Sequence, residues 1–540
     1  MNGLKILEQA FRLEKTERAP WVPFVGVHGG QLIGVDAETY LKSSRHIVDG
    51  ISKAVELYKP DGIPVAFDLQ IEAEILGCKI VWSKENPPAV VSHPLSEGTL
   101  LSSLRIPGKN DGRIPVVLDA TAALRKKYPD LGLYGLITGP FTLALHLLGT
   151  EIFMKMFEDP DYVHEVMAFC SLVGKKHSEM LMDAGCDIIA VVDPMTSQID
   201  PLSFETFVTP YVSSIFDTVR ERGKYSSFFV CGHAQQNIEV MCDCRPDNIS
   251  IDENIPLDFV KEIALSKKIS FGGNLKLTVV LLMGDADDVK RDALACLDLG
   301  GDTGFILAPG CDLPMQTPVE NIQAVSEIVF DRYLQDYTRN LDKKESKLDI
   351  MNMRDYGQSD KVIVDIITLD SESCAPCQYM VEAVKRVAPH FEGVVEWREH
   401  PIKKMEAVSF MSSLMVKNIP TICIDGKIAF VSQIPPQSQL IEAIQKRINE
   451  KLKLKIKSKR SEILILGESE GDCKEITKRV KRAIAELGKS TSVSVITDKE
   501  QMTAFGVKKG PAVIMVNYKL KSEVVVPSLE VVKEWIKEVG

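Results

Sequence analysis

The sequence predicts an α/β chain: a (β/α)8 TIM barrel followed by two smaller βαβαββα units. Three observations predict it. Over residues 1–337, eight short apolar runs are each followed by a helical pattern, the count of a (β/α)8 barrel. Near residue 340 the composition turns charged and poor in apolar residues, and a new strand pattern opens at Val362. Within the last third a motif recurs: Val416-Lys417-Asn418-Ile419-Pro420 returns as Val507-Lys508-Lys509-Gly510-Pro511, and Pro436 returns as Pro527 at the same 16-residue offset.

The predicted barrel strands are Trp21–Val27, Gly62–Phe67, Leu133–Thr138, Ile188–Asp193, Ser227–Cys231, Asn248–Ile251, Ile269–Gly273 and Phe305–Ala308. Polar or special residues stand where they stop: His28, Asp68, Thr138, Asp193, Cys231, His233, Asp252, Asn274 and Cys311. Such barrels keep their chemistry at strand C-termini. Asp193 precedes Pro194 and could instead cap or turn. After the second strand, Asp68, Glu72 and Glu74 supply three carboxylates, which could contact a metal or substrate or form an acidic first helical turn. The proline-rich stretch Glu85–Pro94 reads as a loop over the rim.

Cys231 and Cys311 each end an apolar run beside a glycine. Thiols so far apart in sequence meet only if a closed barrel brings both strand ends to one rim. Two thiolates there suit a soft metal such as zinc; two ordinary buried cysteines are the alternative. Cys242 and Cys244 precede a strand and belong to the opposite rim.

At 540 residues the chain should hold more than one domain. A net charge of −11 argues against a generic nucleic-acid surface. No apolar run approaches the ~20 residues of a membrane span, and the N-terminal stretch lacks a signal-peptide pattern. Twelve cysteines in such a chain read as reduced thiols, so a cytoplasmic location is expected, with no nucleic-acid and no membrane partner.

The stretches Asp61-Gly62 through Phe67-Asp68, Glu72 through Cys78, Tyr134 through Thr142, Ile251-Asp252, and Ala308-Pro309-Gly310-Cys311 with Thr317-Pro318 carry a resemblance. Residues 1–335 resemble the uroporphyrinogen decarboxylase superfamily, and within it the zinc-dependent cobamide methyltransferases. The decarboxylase branch has Arg-Gln-Ala-Gly-Arg near its N-terminus; here that place reads Val25-Gly26-Val27-His28-Gly29-Gly30-Gln31, so decarboxylation of a tetrapyrrole is not expected. The methyltransferase branch supplies one His and two Cys to zinc. The cysteines match Cys231 and Cys311, the histidine's position is Phe229, and His233 is the substitute candidate. The resemblance implies zinc as cofactor, a small thiol acceptor made a thiolate, and a methylated corrinoid protein as the separate methyl-donor partner. Glu72, Glu74, Asp193, Asp252 and Asn274 are candidate substrate-binding residues.

Residues 338–360 read as a linker, long enough to swing a small domain across a barrel face. From Val362 the chain gives a strand, Ser373-Cys374-Ala375-Pro376-Cys377, then a helix. A cysteine at a helix N-terminus favours thiolate, and a second one three residues on can resolve a mixed disulfide. Cys374 and Cys377 are therefore the candidate catalytic pair, needing a disulfide reductant as partner. Residues 361–450 resemble the thioredoxin fold, in which a cis-proline, here Pro420, faces the active cysteines. Residues 451–460 read as a basic linker. Residues 461–540 read as a second copy whose Glu470-Gly471-Asp472-Cys473 keeps only one cysteine. The expected function is methyl transfer from a corrinoid protein to a thiol, with a tethered redox module. The alternatives are a thiol–disulfide oxidoreductase with a metal-free barrel, and a non-catalytic redox sensor binding a tetrapyrrole or corrinoid.

Overall fold

The computed structural model describes residues 2–540 except 341–350, 352, 354, 355, 357, 358, 360, 373, 461, 500, 501, 503–512, 517, 518, 523–525 and 538–540; the side chains of 454–460, 470, 472 and 513–516 are also outside the described set. Ser373, much of the expected linker 338–360 and the recurrence Val507–Pro511 lie outside the described residues. The chain divides into two compact units, Met1–Leu440 and Ile441–Gly540.

In the first unit, seven parallel strands follow one another in chain order: β1 (Gly62–Pro64), β2 (Gly132–Thr138), β3 (Ile188–Val192), β4 (Tyr225–Val230), β5 (Asn248–Ile251), β6 (Ser270–Leu275) and β7 (Phe305–Pro309). The predicted first strand, Trp21–Val27, contributes a single parallel bridge, Trp21 with Leu307. Val22 N donates to Leu307 O at 3.0 Å and Asp61 N donates to Trp21 O at 2.9 Å, so this segment spans the gap between β7 and β1 and completes the TIM barrel. Pro20 and Pro23 lack N–H groups, which is why no longer ladder forms there. Asp61 anchors the segment, accepting from Trp21 N at 2.8 Å and from both terminal nitrogens of Arg18 at 2.6 and 2.8 Å.

The strands are buried on both faces, as a parallel sheet covered by helices requires. Their side chains alternate between two cores. Ile188, Ala190 and Val192 pack inside the barrel with Phe24, Phe67 and Phe229, while Ile189 and Val191 face the surrounding helices.

The rest of the first unit is a thioredoxin-like sheet of β8 (Val362–Thr368), β9 (Val395–Pro401), β10 (Thr421–Ile424) and β11 (Lys427–Val431), ordered β9-β8-β10-β11. β9 is parallel to β8 and β10 antiparallel to it. With helices Ala375–Val387, Met405–Ser413 and Gln437–Arg460 in between and after, the order is βαβαββα. This module packs against the barrel. Tyr379, on its first helix, is fully buried within the barrel's outer core. Gln378 Nε2 donates to Val90 O at 2.5 Å, Lys403 Nζ to Asn86 Oδ1 at 2.7 Å, and Gln198 Nε2 to Ser432 O at 2.9 Å.

Residues 451–460, expected as a basic linker, are helical and continue the helix Gln437–Arg460. In the second unit, β12 (Ile463–Leu466), β13 (Val493–Ile496), β14 (Val513–Val516) and β15 (Lys519–Ser522) form a sheet ordered β13-β12-β14-β15. Helices Glu470–Glu486 and Leu529–Lys537 cover it through Cys473, Ile476, Val480, Val532 and Ile536. Cys473 is thus a core residue. Among the described residues no helix is long and apolar enough to cross a membrane.

Candidate active site

Cys231 follows β4, and Gly232 turns the chain off that strand at φ 86°, a left-handed conformation suited to glycine. Cys311 follows β7. The closed barrel brings the two cysteines to one cavity, and the neighbouring Cys311 thiol together with burial holds Cys231 well above the ordinary thiol range. Asp252, at the end of β5, fixes this turn by accepting from Gly232 N at 2.6 Å; it also takes Asn254 N at 3.0 Å and Asn254 Nδ2 at 2.7 Å. Burial pushes Asp252 up to about 6. Its neighbour Glu253 accepts from Leu277 N at 3.0 Å, and burial, then the charge of Asp252, pushes it up to about 8.

Two glycines make room for these acids. A Cβ at Gly310 would lie 2.1 Å from Glu253 Oε2, and one at Gly26 would lie 2.3 Å from Asp312 Oδ1. Burial holds Asp312 well above the carboxylate range.

The thioredoxin-like module closes the barrel mouth. Cys374 is the N-cap of helix Ala375–Val387, its sulfur accepting from Cys377 N at 3.4 Å. The two are disulfide-bonded. Cys377 is fully buried and Cys374 half-buried, so Cys374 presents the approachable sulfur. The Ile419–Pro420 peptide is cis. Cys231, Cys311, Cys374, Cys377 and Pro420 all line one cavity, together with Asp252, Glu253, Asp312 and the Asn86–Ala89 stretch of the rim loop.

Other candidates stand elsewhere. Glu72 is 1% exposed and accepts from Thr138 Oγ1 at 2.9 Å and His177 Nδ1 at 2.8 Å. Burial pushes its carboxyl up, but the charge and hydrogen bond of His177 outweigh that and hold it below the usual value. Glu74 pairs with Arg113 Nε at 2.8 Å. Asp193 caps helix Pro140–Leu148, taking Phe141 N at 3.1 Å, Thr142 N at 2.8 Å and Thr142 Oγ1 at 2.6 Å; burial pushes it up to about 6. Asn274 donates to Ile255 O at 2.8 Å. None of these four lines the cavity; they tie barrel elements together. Glu253, Asp312 and Lys403 line it and carry no sequence pattern of their own, beyond the adjacency of Glu253 to Asp252 and of Asp312 to Cys311.

Zinc needs more than the two thiols. Phe229, at the position of the family's histidine, is buried edge-on against Phe24 and Phe67, with ring centroids 5.6 and 6.2 Å away. His233 lies outside the cavity lining, and its Nδ1 is buried without a hydrogen-bond partner. Among the described residues no group of three or more His, Cys, Asp or Glu is placed to hold a metal ion. The residues present therefore do not fit the expected zinc site.

A parallel barrel with two cysteines past its strand ends and a thioredoxin-like module over its mouth defines the class as an α/β barrel. The Uroporphyrinogen decarboxylase (URO-D) description matches residues 4–331, and the chain belongs to that family. Residues 461–537 match the Thioredoxin domain. The chain is 28% identical over 271 residues to the methylcobamide:CoM methyltransferase MtbA of Methanosarcina acetivorans, covering 49% of this chain and 78% of that one. It is 28% identical over 275 residues to MtaA of Methanosarcina barkeri, covering 50% and 79%. Among solved structures, a methyltransferase from Methanosarcina mazei superposes with a TM-score of 0.58 at 24% identity, covering 62% of this chain and 99% of that one, a likeness of fold.

Proposed function

We propose that the chain is a corrinoid-linked methyltransferase, moving a methyl group from a methylated corrinoid held by a separate protein to a thiol bound at the barrel mouth, with Cys374 and Cys377 as a thiol–disulfide module opening on the same place. The observation that carries the reading is the shared cavity, in which the rim thiols stand among apolar residues and a few carboxyls. Relatives named for transfer between methylcobamide and CoM support the donor class and the thiol acceptor.

Attack on a methyl group needs a thiolate in water-poor surroundings. Glu253, raised to about 8, matches the range of a small thiol and is the residue that takes its proton. Asp252 holds the Cys231 turn in place. No step runs through zinc, whose ligand set these residues do not complete. The corrinoid protein reaches the mouth when the thioredoxin-like module is displaced from it.

The test is to incubate the full chain, with reduced Cys374 and Cys377, with methylcobalamin and a series of small thiols including CoM, and to measure thioether by mass spectrometry. Thioether should form, and Glu253→Gln should lower kcat/KM by about 100-fold. No thioether with any thiol, free or protein-bound corrinoid alike, would overturn the reading. The incomplete metal-ligand set favours one second reading, a thiol–disulfide oxidoreductase with a metal-free barrel. Disulfide reduction without thioether formation would select it.

A further inference from the structure

We infer that the two cysteine pairs form an intramolecular thiol–disulfide relay, in which Cys374–Cys377 exchanges its oxidation state with Cys231–Cys311 across the cavity. The relay shares the cavity with the proposed methyl transfer but does not depend on it. Four cysteines from three distant parts of the chain line one chamber. Each pair stands together: Cys374 and Cys377 as a disulfide, Cys231 and Cys311 as rim cysteines packed against the same inner cluster and lining the same cavity. The other eight cysteines are absent from the cavity wall; seven of the eight, all but Cys423, lie in the barrel core, its helices or the second unit, and Cys423 sits in β10.

The chemistry balances without an outside reagent. A rim cysteine, as thiolate, attacks Sγ of Cys374, the approachable sulfur. The Cys374–Cys377 bond breaks and Cys377 leaves as thiolate and takes up a proton. The second rim cysteine then attacks the rim sulfur of the mixed disulfide, expelling Cys374, which is protonated in turn. Two electrons pass from the rim pair to the module. The two protons lost by the rim thiols equal the two gained by Cys374 and Cys377. Run in reverse, a reduced module reduces an oxidised rim pair. Because the module is docked over the mouth, the exchange is intramolecular and draws on a high effective concentration. The cover also hinders outside reductants, so the rim pair depends on the module for its reduction.

The test uses the full chain. Reduced Cys377→Ser protein is treated with mild diamide and digested without reduction. A cross-linked peptide joining Cys374 to Cys231 or Cys311 within one monomer is expected. As a second measurement, Cys374→Ser/Cys377→Ser protein is oxidised and then reduced with dithiothreitol, with differential alkylation following the rim pair. Reduction should be about tenfold or more slower than in the unsubstituted chain. The relay is overturned if no barrel cysteine cross-links to Cys374, if the cross-link forms only between separate chains, or if rim-pair reduction proceeds at the unsubstituted rate. Thioether formation is a separate readout, so failure of the relay leaves the methyl-transfer reading standing.

Discussion

The Tyr379 hydroxyl stands 3.2 Å from Nδ1 of His146, joining the first helix of the thioredoxin-like module to the barrel helix Pro140–Leu148. Both side chains are buried, and the rings of His93 and His146 lie against Tyr379 with centroids 6.0 and 6.4 Å away. Burial, then the charge of His93, holds His146 down to about 3, so its ring is neutral and serves as a hydrogen-bonding plug. Removing the tyrosine ring empties a site in the barrel's outer core. Tyr379→Ala should cost about 3–5 kcal/mol in urea unfolding, the usual range for a buried aromatic truncated to alanine. It should also raise hydrogen exchange in β8 and in the rim loop. Tyr379→Phe, which removes only the hydroxyl, should cost about 1 kcal/mol.

Gly310 admits the Glu253 carboxyl to the cavity wall beside Cys311. With a Cβ placed 2.1 Å from Oε2 and 3.1 Å from the backbone N of Glu253, alanine cannot share that space. Gly310→Ala should therefore displace Glu253, cost about 1–3 kcal/mol as overpacking does, and change the alkylation rate of Cys311 with iodoacetamide. An unchanged melting temperature and labelling rate would show that the wall yields freely.

Much of this fold is legible in the sequence because parallel barrel strands are buried on both faces and read as unbroken apolar runs. Ile188–Val192 and Phe305–Pro309 are such runs, and they lie where expected. Trp21–Val27 reads as a strand equally well, but its flanking prolines leave only Trp21 to bridge. Cys374 and Cys377 are legible as a pair because two cysteines three apart at a helix start have few alternative explanations, whereas Cys231 and Cys311 read equally well as ordinary buried cysteines. The meeting of the rim cysteines with Cys374 and Cys377 is not legible, because the docking of Tyr379 on His146 and of Lys403 on Asn86 joins residues hundreds of positions apart with no local pattern. Glu72 attracts attention for the same reason as any carboxylate after a strand, yet its partners Thr138 and His177 make it a tie inside the barrel.

His28 gives the protein a pH signature. It is fully buried, with Nδ1 3.2 Å from Met315 O and Nε2 2.7 Å from the Tyr58 hydroxyl, and burial lowers it from 6.5 to about 4. The unfolded chain takes up a proton near pH 6.5 that the folded chain refuses until about pH 4, so this contribution to stability is lost as pH falls through that window. Between pH 7 and 5 the loss is about 2 kcal/mol. Asp193 and Asp252, raised to about 6, and Glu253, raised to about 8, act in the opposite sense, since their folded forms hold protons the unfolded chain releases. Comparison with His28→Asn isolates the histidine: urea unfolding should show the unsubstituted chain losing about 2 kcal/mol more than the variant over that interval. Parallel pH dependences would mean that His28 titrates alike in both states.

Phe229 lies in β4 and Cys231 comes directly after the strand ends at Val230, two positions on, the spacing at which an extended chain sends side chains to one side. Cys231 lines the cavity with Cys311, whereas Phe229 spends its position on the aromatic cluster with Phe24 and Phe67. Two thiolates alone leave tetrahedral zinc short of ligands. Protein purified without oxygen and passed over a chelator should therefore hold well under one zinc per chain by elemental analysis. Phe229→His should raise zinc affinity, because an imidazole then faces the same space as the thiols. The same change removes a buried aromatic ring and should lower metal-free stability by about 3 kcal/mol, with added zinc restoring part of the loss because binding to the folded state is linked to folding. Adding Cys231→Ser to Phe229→His should abolish the gain in affinity while leaving the loss of stability. One tightly held zinc in the unsubstituted chain, removed by either Cys231→Ser or Cys311→Ser, would instead mean that the rim pair finds its remaining ligands without a histidine at position 229.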